Sequence, residues 1–379
     1  MKLYSDKVYI NEQFVSATIE FDNGKIINII EGKDESSDLL YTGNKVFPGF
    51  VDIHTHGNHG VEANRLTEEG LKEWQEVLID EGVTSFLVST STADEQDLLN
   101  SFKIASESMK SESSGAQVLG IHVEGPLISF VKRGAHNPYL LRKPNIEEFK
   151  KWQSIAQNQI KLVCIAPEMD DNNDLIKYCV SQGIKVALGH TNASYEQTVL
   201  AVENGANDFT HTFNAMPTLH HRTPGAVAVA LTLDNTYAEL IADGIHVHPA
   251  MCKILTRSKG KDKVIFVSDS SALKGLPAGK YAQGHRANNA CYIREDGRIE
   301  LEDHTLAGGS CKINQMLYRA IELMGIDEIT AYNAVTKNPV TMLGIDSKGV
   351  IEVGKDADFT ILNDDYSVKA VYCLGNQKK

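Results

Sequence analysis

The alternation of apolar and polar residues divides the chain into two β-rich ends and a longer middle of different character. Over residues 1–45 apolar and polar positions alternate, with turn residues at positions 22–24 and 32, a pattern typical of short antiparallel strands. Strand-like runs return between residues 349 and 374, as at 359–362. We therefore predict a small β-sandwich domain built from both termini, residues 1–48 plus 348–379.

The middle of the chain, residues 49–347, alternates short apolar runs with helical patterns. Leu71, Trp74 and Leu78, for example, share one helical face. An α/β fold in which eight strands are separated by helices favours a (β/α)8 TIM-like barrel, with a doubly wound parallel sheet as the alternative. The predicted strands are residues 50–53, 85–88, 118–123, 162–165, 186–188, 208–210, 240–242 and 264–267.

Composition and charge limit the classes of partner. The 37 Lys and Arg residues against 50 Asp and Glu residues give a net charge of -13, which argues against nucleic acid or an anionic membrane. Six cysteines without a Cys-x-x-Cys pair are typical of reduced thiols. The first residues lack the apolar stretch of a signal peptide, and no run is long enough to span a bilayer. We expect a cytoplasmic protein.

Residues with metal-binding side chains follow the predicted strands. In a barrel the carboxyl ends of all strands lie on one face, so these side chains are expected to converge there. Imidazole and carboxylate groups together suit zinc, iron or a similar divalent ion. The residues are His54 and His56 after the first strand, Glu124 after the third, His190 after the fifth, His211 after the sixth and Asp269 after the eighth.

Each of these residues has an ordinary structural explanation when it is taken alone. A His-x-His pair can be incidental, Glu124 can be a paired carboxylate beside a turn, and His190 can be a buried core histidine. Asp269 can cap the next helix. We favour a metal site because independent accidents would not all fall at strand ends.

Several segments resemble the N-acetylglucosamine-6-phosphate deacetylase family of the amidohydrolase superfamily. The resemblance covers nearly the whole chain, and it implies a metal-bearing barrel with a small β-domain. The segments that carry it are His-Val-Glu-Gly-Pro at 122–126, Lys-Arg-Gly-Ala-His-Asn-Pro at 132–138, Gly-His-Thr at 189–191, Thr-His-Thr-Phe-Asn-Ala-Met at 210–216, Ala-Asp-Gly-Ile-His at 242–246 and Leu-Ala-Gly-Gly-Ser at 306–310.

The resemblance also implies catalytic roles. Glu124, His190 and His211 correspond to the principal metal ligands, and the paired His54 and His56 favour a second metal position. One or two divalent ions per subunit are therefore expected, of zinc, iron, manganese or cobalt. Asp269 corresponds to the general base, which takes a proton from the attacking metal-bound water and returns it to the leaving amine. His136 corresponds to the histidine that polarises the acetyl carbonyl.

The substrate that the resemblance implies is a phosphorylated amino sugar. Arg222 corresponds to the phosphate-binding arginine, since guanidinium pairs well with phosphate. In relatives, this arginine and the residue matching His246 can reach the substrate of a neighbouring subunit, which implies a homodimer. The residues expected to bind substrate are Ala135, His136, Asn214, Ala215, Arg222, Asp243, His246, Leu306, Ala307 and Gly308.

Two other functions compete with this interpretation. Another amidohydrolase, such as a dihydroorotase, hydantoinase or aminoacylase-like enzyme, would often bridge two metals with a carboxylated lysine, but residues 162–168 contain no lysine. A barrel that had lost catalysis and become a scaffold would usually have lost ligands, whereas this chain keeps His, Glu or Asp at every matched strand end.

Overall fold

The structure is a computed structural model that describes residues 1–282 and 290–379. The described residues are of the α/β class, with one mixed sheet, two parallel sheets and two smaller antiparallel sheets. Among the described residues, no helix is both long and apolar enough to cross a membrane.

The first five strands form most of the sheet at the amino-terminal end. Strands β1, β2 and β3 pair antiparallel, and a bulge between Ser5 and Val8 lets β1 pair parallel with β4 before it and with β5 after it. The strands are β1 (Lys2–Ile10), β2 (Gln13–Asp22), β3 (Lys25–Glu31), β4 (Leu39–Leu40) and β5 (Lys45–Pro48).

The next part of the chain alternates strands with helices. Its elements are β6 (Phe50–Thr55), β7 (Gly57–Asn58), β8 (Val61–Glu62), α1 (Glu68–Ile79), β9 (Val83–Thr90), α2 (Glu95–Ser108), β10 (Gln117–Glu124), α3 (Ile146–Ile155), β11 (Ile160–Ile165), α4 (Asp174–Ser181), β12 (Lys185–Leu188), α5 (Tyr195–Glu203), β13 (Asp208–Phe209), α6 (Gly225–Thr232), β14 (Ala238–Leu240), α7 (Pro249–Lys259) and β15 (Val264–Phe266). Short 3-10 turns occur at Ala63–Arg65, Pro138–Leu140, Pro167–Met169 and Asp171–Asn173.

Six of these strands form one parallel sheet in the order β13-β12-β11-β10-β9-β6. Every residue of β6 and β9 is buried, which explains why apolar residues occur on both faces of these strands rather than only at alternating positions. All eight predicted strands of the middle region overlap a strand of the structure. The seventh was displaced, because residues 240–242 were predicted and β14 spans Ala238–Leu240.

The strands β14 and β15 form a separate parallel pair whose neighbours are the two edges of the six-stranded sheet. At one edge, Tyr237 N donates to Asn207 O at 2.8 Å. At the other edge, Asp269 N donates to His54 O at 2.9 Å and His56 N donates to Ser270 O at 2.7 Å. The pair is therefore hydrogen-bonded to both ends of the larger sheet.

The helices cover this sheet with apolar faces. In α1 the predicted residues Leu71, Trp74 and Leu78 are all buried, and the Thr67 side chain caps the helix by accepting from Gly70 N. These helices share one large hydrophobic cluster with the strands. Because the strands run parallel to one another, their carboxyl ends lie at a single rim.

The segment after β15 adds a small antiparallel sheet and further helices. The sheet packs its own apolar cluster around Leu273, Cys291 and Ala307. It was not predicted from the sequence. The elements are β16 (Gly279–Ala282), β17 (Ala290–Ile293), β18 (Ile299–Leu301), α8 (Ile313–Tyr318), a π-helical turn (Arg319–Leu323), α9 (Glu328–Val335) and α10 (Lys337–Leu343).

The last three strands return to the amino-terminal sheet. They are β19 (Phe359–Leu362), β20 (Val368–Cys373) and β21 (Asn376–Gln377), and the order is β21-β20-β19-β5-β1-β2-β3, with β4 beside β1. Strands from both ends share one core that includes Ile19, Phe21 and Phe359. The eight strands belong to one hydrogen-bonded sheet, in which a bulge interrupts the pairing of β1 with β2.

Candidate metal centre

Six side chains from five strand ends converge at the rim of the parallel strands. His54 lies in β6, His56 follows it, and Glu124 is the last residue of β10. His190 and His211 stand two residues beyond β12 and β13, and Asp269 stands three residues beyond β15. All six predicted metal-site residues are therefore brought together.

Four of the six form one cluster of candidate ligands, His54, His56, Glu124 and Asp269. The His56 Nε2 atom is 3.0 Å from Glu124 Oε2 and 3.3 Å from Asp269 Oδ1. The His54 Nε2 atom is 3.1 Å from His56 Nε2, 3.4 Å from Glu124 Oε1 and 3.5 Å from Asp269 Oδ1. We call this group the first cluster.

The other face of the same carboxylate meets two more histidines. The His211 Nε2 atom is 2.9 Å from Glu124 Oε1, and the His190 Nε2 atom is 3.2 Å from it. The two nitrogen atoms are 3.1 Å apart. We call Glu124, His190 and His211 the second cluster; Glu124 belongs to both.

Hydrogen bonds on the far side of the rings fix the tautomer of three histidines. The Nδ1 atom of His56 faces the carbonyl oxygen of Ser89 at 2.8 Å, and that of His190 faces the carbonyl oxygen of Lys132 at 2.9 Å. A carbonyl can only accept, so Nδ1 carries the hydrogen. The Nδ1 atom of His54 donates likewise to a carboxylate, 2.9 Å away. When these rings are neutral, the three Nε2 lone pairs point into the clusters.

This arrangement fits a divalent metal. Ligand atoms that are each about 2.0–2.2 Å from one ion lie about 2.8–3.6 Å apart, and the distances given for the two clusters fall in this range. Lone pairs and carboxylate oxygens that converge without a hydrogen between them repel one another unless a cation lies among them. The donor set of imidazole and carboxylate suits zinc, iron, manganese and cobalt.

The electrostatics of the clusters favour positive charge at the histidine nitrogens. Burial opposes protonation of His56, but hydrogen bonds to Asp269 and Glu124 outweigh it and raise its pKa to about 9. Burial also opposes ionisation of Glu124, yet the neighbouring His54 and His190 hold its pKa well below the usual range. The pKa of Asp269 is lowered in the same way, chiefly by the hydrogen bond from His56 against the effect of burial. A metal cation bound among these nitrogen and oxygen atoms would be stabilised by the same carboxylate charges.

His136 lies beside the second cluster with the opposite tautomer. The Thr92 N–H donates to its Nδ1 at 3.3 Å, so the neutral ring carries its hydrogen on Nε2, which is 3.6 Å from Glu124 Oε2. Distance alone would also admit His136 as a ligand with Glu124 and His190. We give more weight to the tautomer, which makes His136 a hydrogen-bond donor.

The clusters form one wall of a cavity of about 280 Å³. Most of the residues predicted to bind substrate line it, from four separate loops. They are Ala135 and His136, Asn214 and Ala215, His246, and Leu306, Ala307 and Gly308. Residues that also line the cavity but were not predicted are Glu62, Ala63, Asn64, Ser91, Gly134, Ser271, Ala272 and Thr305.

Asp243 is not among the residues that line the cavity, although it was predicted to bind substrate. Its Oδ2 atom is 2.7 Å from His246 Nδ1, and its Oδ1 atom accepts from the backbone N of Ile245 and of His246. Asp243 therefore orients His246, whose Nε2 atom has no hydrogen-bond partner among the described residues. His246 lines the cavity of its own chain.

Arg222 lies outside the cavity of its own chain. It is exposed in the loop before α6, where its guanidinium is 2.8 Å from His221 Nε2. Among residues 1–282 and 290–379, no lysine or arginine lines the cavity. A phosphate group in this cavity would meet no fixed cation from the same described chain.

Three buried carboxyl groups behind the clusters were missed from the sequence. Asp52 accepts from His54 N at 3.2 Å and from Ser268 Oγ at 2.5 Å, and burial raises its pKa to about 6. Glu239 and Asp208 lie on β14 and β13 and are almost inaccessible. A charged residue inside an apolar run is the signal that could have found them, since buried carboxyl groups are rare unless they are paired.

The chain is similar to known proteins over most of its length. The Amidohydrolase family matches residues 46–378 of the chain. An N-acetylglucosamine-6-phosphate deacetylase of Bacillus subtilis (strain 168) is 36% identical over 375 residues, which is 97% of this chain and 93% of that protein. An N-acetylgalactosamine-6-phosphate deacetylase of Escherichia coli O157:H7 is 31% identical over 330 residues, 86% of each chain.

A solved structure is similar over the full length. It is a variant of N-acetyl-D-glucosamine-6-phosphate deacetylase from Mycobacterium smegmatis in complex with N-acetyl-D-glucosamine-6-phosphate. The TM-score is 0.93 at 28% sequence identity, and the match covers 100% of this chain and 99% of that one.

Proposed function

This chain belongs to the amidohydrolase family, and on that premise we propose that it deacetylates N-acetyl-D-glucosamine 6-phosphate to D-glucosamine 6-phosphate and acetate. The observation that carries the proposal is the convergence of four histidines, Glu124 and Asp269 at one rim, in a chain 36% identical to such a deacetylase. The reaction is a metal-dependent hydrolysis of an amide bond.

We assign the metal to the two clusters, which share Glu124. The principal ligands would be Glu124, His190 and His211, and the second position would use His54 and His56. A bound zinc, iron, manganese or cobalt ion supplies a water of lowered pKa and polarises the acetyl carbonyl. The shared carboxylate supports two positions rather than one.

Asp269 is the proton carrier in this proposal. Its lowered pKa keeps it ionised at neutral pH, so it can take a proton from the water whose oxygen attacks the acetyl carbon. It then returns that proton to the sugar nitrogen as the carbon–nitrogen bond breaks, which leaves acetate and the free amine. One group serves both steps, because the first step leaves it protonated for the second.

His136 assists at the carbonyl oxygen. The hydrogen on its Nε2 atom faces the cavity side of Glu124, where it can donate to the oxygen that gains negative charge. Ala135, Asn214, Ala215, His246 and the turn at 306–308 would hold the sugar, and Asp243 would act on the sugar only through His246.

We further propose that the phosphate is bound by Arg222 of a neighbouring subunit in a homodimer. The support is electrostatic: the described cavity lacks a fixed cation, whereas a phosphorylated substrate carries a double negative charge near neutral pH. The exposed loop with Arg222 is available to reach another chain.

The architecture that goes with this function is a closed (β/α)8 barrel, residues 49–347, and a small β-domain, residues 1–48 plus 348–379. The bonds from β14 and β15 to both edges of the six-stranded sheet support closure. The core shared by strands of both termini supports the second domain. All six cysteines are buried and none forms a disulfide bond, which supports a reducing compartment such as the cytoplasm.

The position of Cys164 argues against the dihydroorotase-like alternative. Cys164 pairs with Glu124 across β10 and β11, so the end of β11 offers a buried thiol where such enzymes would carry a lysine. Glu124 itself fills the shared position.

Acetate release from N-acetyl-D-glucosamine 6-phosphate tests the proposal directly. Purified, metal-loaded protein should release acetate from this sugar much faster than it hydrolyses dihydroorotate. N-acetyl-D-galactosamine 6-phosphate is assayed in parallel, since a relative acts on that epimer. Hydrolysis of dihydroorotate alone would support the alternative amidohydrolase, and protein that neither binds metal nor releases acetate would support a scaffold.

A further inference from the structure

Glu239 connects the two clusters from behind. A single oxygen atom, Oε2, accepts from His54 Nδ1 at 2.9 Å and from the backbone N of His211 at 2.9 Å. His54 belongs to the first cluster and His211 to the second. No other acidic side chain among the described residues contacts the far side of ligands from both clusters.

The burial of Glu239 shows that this contact is held by the fold. The residue has no exposed surface, and an ionised carboxylate in such a place is costly unless it accepts hydrogen bonds from fixed donors. Both donors are fixed, because one is a ring within the packed cluster and the other is a backbone amide. The carboxylate in turn holds His54 with its hydrogen on Nδ1, so that Nε2 faces the site.

The other ligand histidines have weaker far-side partners. His56 and His190 donate to the backbone carbonyls of Ser89 and Lys132, and the Nδ1 atom of His211 has no hydrogen-bond partner among the described residues. Among the described ligand histidines, only His54 has a carboxylate as its far-side partner. A carboxylate partner makes the histidine nitrogen a stronger electron-pair donor to a metal than a carbonyl partner does.

Asp208 completes the arrangement on the neighbouring strand. Glu239 Oε1 and Asp208 Oδ2 are both buried without a donor among the described residues. Burial and the adjacent Glu239 carboxylate raise the pKa of Asp208 well above its usual range.

We propose that Glu239 is a positioning residue that orients His54 and the backbone of His211 together, and thereby sets the metal affinity of both clusters. This inference rests on the metal centre of the proposed function. In this proposal a single carboxylate, which touches neither substrate nor metal, determines the affinity of the protein for the metal ions.

The test measures metal binding rather than turnover. Apo forms of the wild type, Glu239→Gln and Glu239→Leu are titrated with Zn²⁺ in competition with a chromophoric chelator. The titration gives a dissociation constant for each Zn²⁺ ion that the wild type binds, and the variants are compared with these values. Outer-shell partners of metal ligands typically contribute about 10- to 100-fold to affinity. We expect Glu239→Gln, which keeps the acceptor but not the charge, to lose about 10-fold, and Glu239→Leu about 100-fold.

Asp358→Asn is the matched control. Asp358 is also a buried carboxylate, paired with Lys348 at 2.5 Å in the sheet formed by both chain ends and away from the clusters. This variant should lose stability but keep the metal affinity of the wild type. If Glu239 had only a structural role, Glu239→Leu would likewise lose stability and keep the metal affinity of the wild type.

The outcomes separate this inference from the proposed function. A folded Glu239→Leu protein that binds Zn²⁺ as tightly as the wild type would overturn the positioning role and leave the metal centre intact. Wild-type protein that binds no Zn²⁺ would overturn both. If Glu239→Leu does not fold, Glu239→Gln decides, because an unchanged affinity there contradicts the contribution of the charge.

Discussion

At the scale of single residues, the backbone is bent to aim side chains into the cavity. His190, His211 and Asp269 all have positive φ, at 44°, 27° and 44°. Left-handed backbone at a residue other than glycine costs about 1–3 kcal/mol. For Asp269 this conformation is held by hydrogen bonds on both sides, from its own N to His54 O and from Gly309 N to its carbonyl oxygen. Strain of this kind is retained where it positions reactive groups.

Asp269→Asn tests the proton-carrying role. The amide cannot accept the proton of the water, so turnover should fall by about 10²- to 10⁴-fold. Metal content should stay at the wild-type level, because the amide oxygen remains in place beside His54 and His56. Acetate release and metal per chain are measured on the same sample. Near-normal turnover in this variant would remove Asp269 from the mechanism.

At the scale of elements, the carboxyl end of β6 and the residue after it supply two candidate ligands, because side chains two residues apart on a strand share a face. His54 and His56 are two residues apart, so their side chains lie on the same face, and both Nε2 atoms approach Glu124 and Asp269. Both histidines belong to the first cluster and not to the second. We therefore expect them to determine how many metal ions bind per chain, and not whether Glu124, His190 and His211 hold an ion.

Replacing both histidines of β6 tests that connection. His54→Asn with His56→Asn should reduce the metal content from two ions per chain to one, because the first cluster loses both imidazoles while the second keeps its ligands. The matched control is His220→Asn with His221→Asn, which changes two exposed loop histidines. Elemental analysis gives the count. An unchanged stoichiometry would make the β6 pair bystanders.

The last turn of α7 contains a lysine whose charge opposes folding near neutral pH. Lys259 donates to Leu233 O at 2.6 Å and to Thr236 Oγ1 at 3.0 Å. Burial, with a smaller contribution from Lys263, lowers its pKa from 10.5 to about 8. The unfolded chain therefore binds more protons than the folded chain between these two values, and stability rises with pH across that window.

Lys259→Met removes this dependence. The free energy of unfolding of the wild type minus that of the variant should increase from pH 7.5 to pH 10, by about 1–3 kcal/mol. Urea unfolding of both proteins at the two pH values gives the difference, in which the titration of other groups cancels. A difference that stayed flat or fell with pH would contradict the lowered pKa.

At the scale of the whole molecule, the cavity lies apart from Arg222, the residue that we propose binds the phosphate of the substrate. The described cavity contains imidazoles and carboxylates but no lysine or arginine, and Arg222 stands in an exposed loop. A homodimer in which each chain completes the pocket of the other would resolve this separation.

Arg222→Ala should raise KM for the phosphorylated sugar by about 10- to 100-fold, since a charge-assisted hydrogen bond contributes about 1.5–3 kcal/mol. Turnover of unphosphorylated N-acetylglucosamine should be spared. Arg257→Ala, an exposed arginine of α7, is the control. Equal losses on both sugars would count against a phosphate role.

Mixing two variants tests whether Arg222 acts on the partner. In a mixed dimer of Arg222→Ala and Asp269→Asn chains, one pocket regains both residues if the arginine comes from the other subunit. After unfolding and joint refolding in equal amounts, activity at low substrate should reach about a quarter of the wild type, because half of the dimers have one intact pocket. Activity no higher than the average of the two parents would place Arg222 in its own chain's pocket.

The local pattern of the sequence determined the strands of the parallel sheet to within two residues and the positions of the candidate ligands. A short apolar run predicts a buried strand. A His, Glu or Asp that closely follows such a run is therefore expected at the carboxyl end of that strand. The convergence of His54, His56, Glu124, His190 and Asp269 followed from that rule and from parallel strand direction.

Only the tertiary structure decided which groups support the site. Glu239 stands inside a strand that was predicted two residues too late, because a charged residue weakens the apolar signal of the run. Its burial becomes favourable through donors from His54, 185 residues away, and from His211, 28 residues away. The same holds for Asp243, which supports His246, and for the distance of Arg222 from its own cavity. Contacts between distant parts of the chain leave no periodic trace in the sequence, so they become visible only when the strands are side by side.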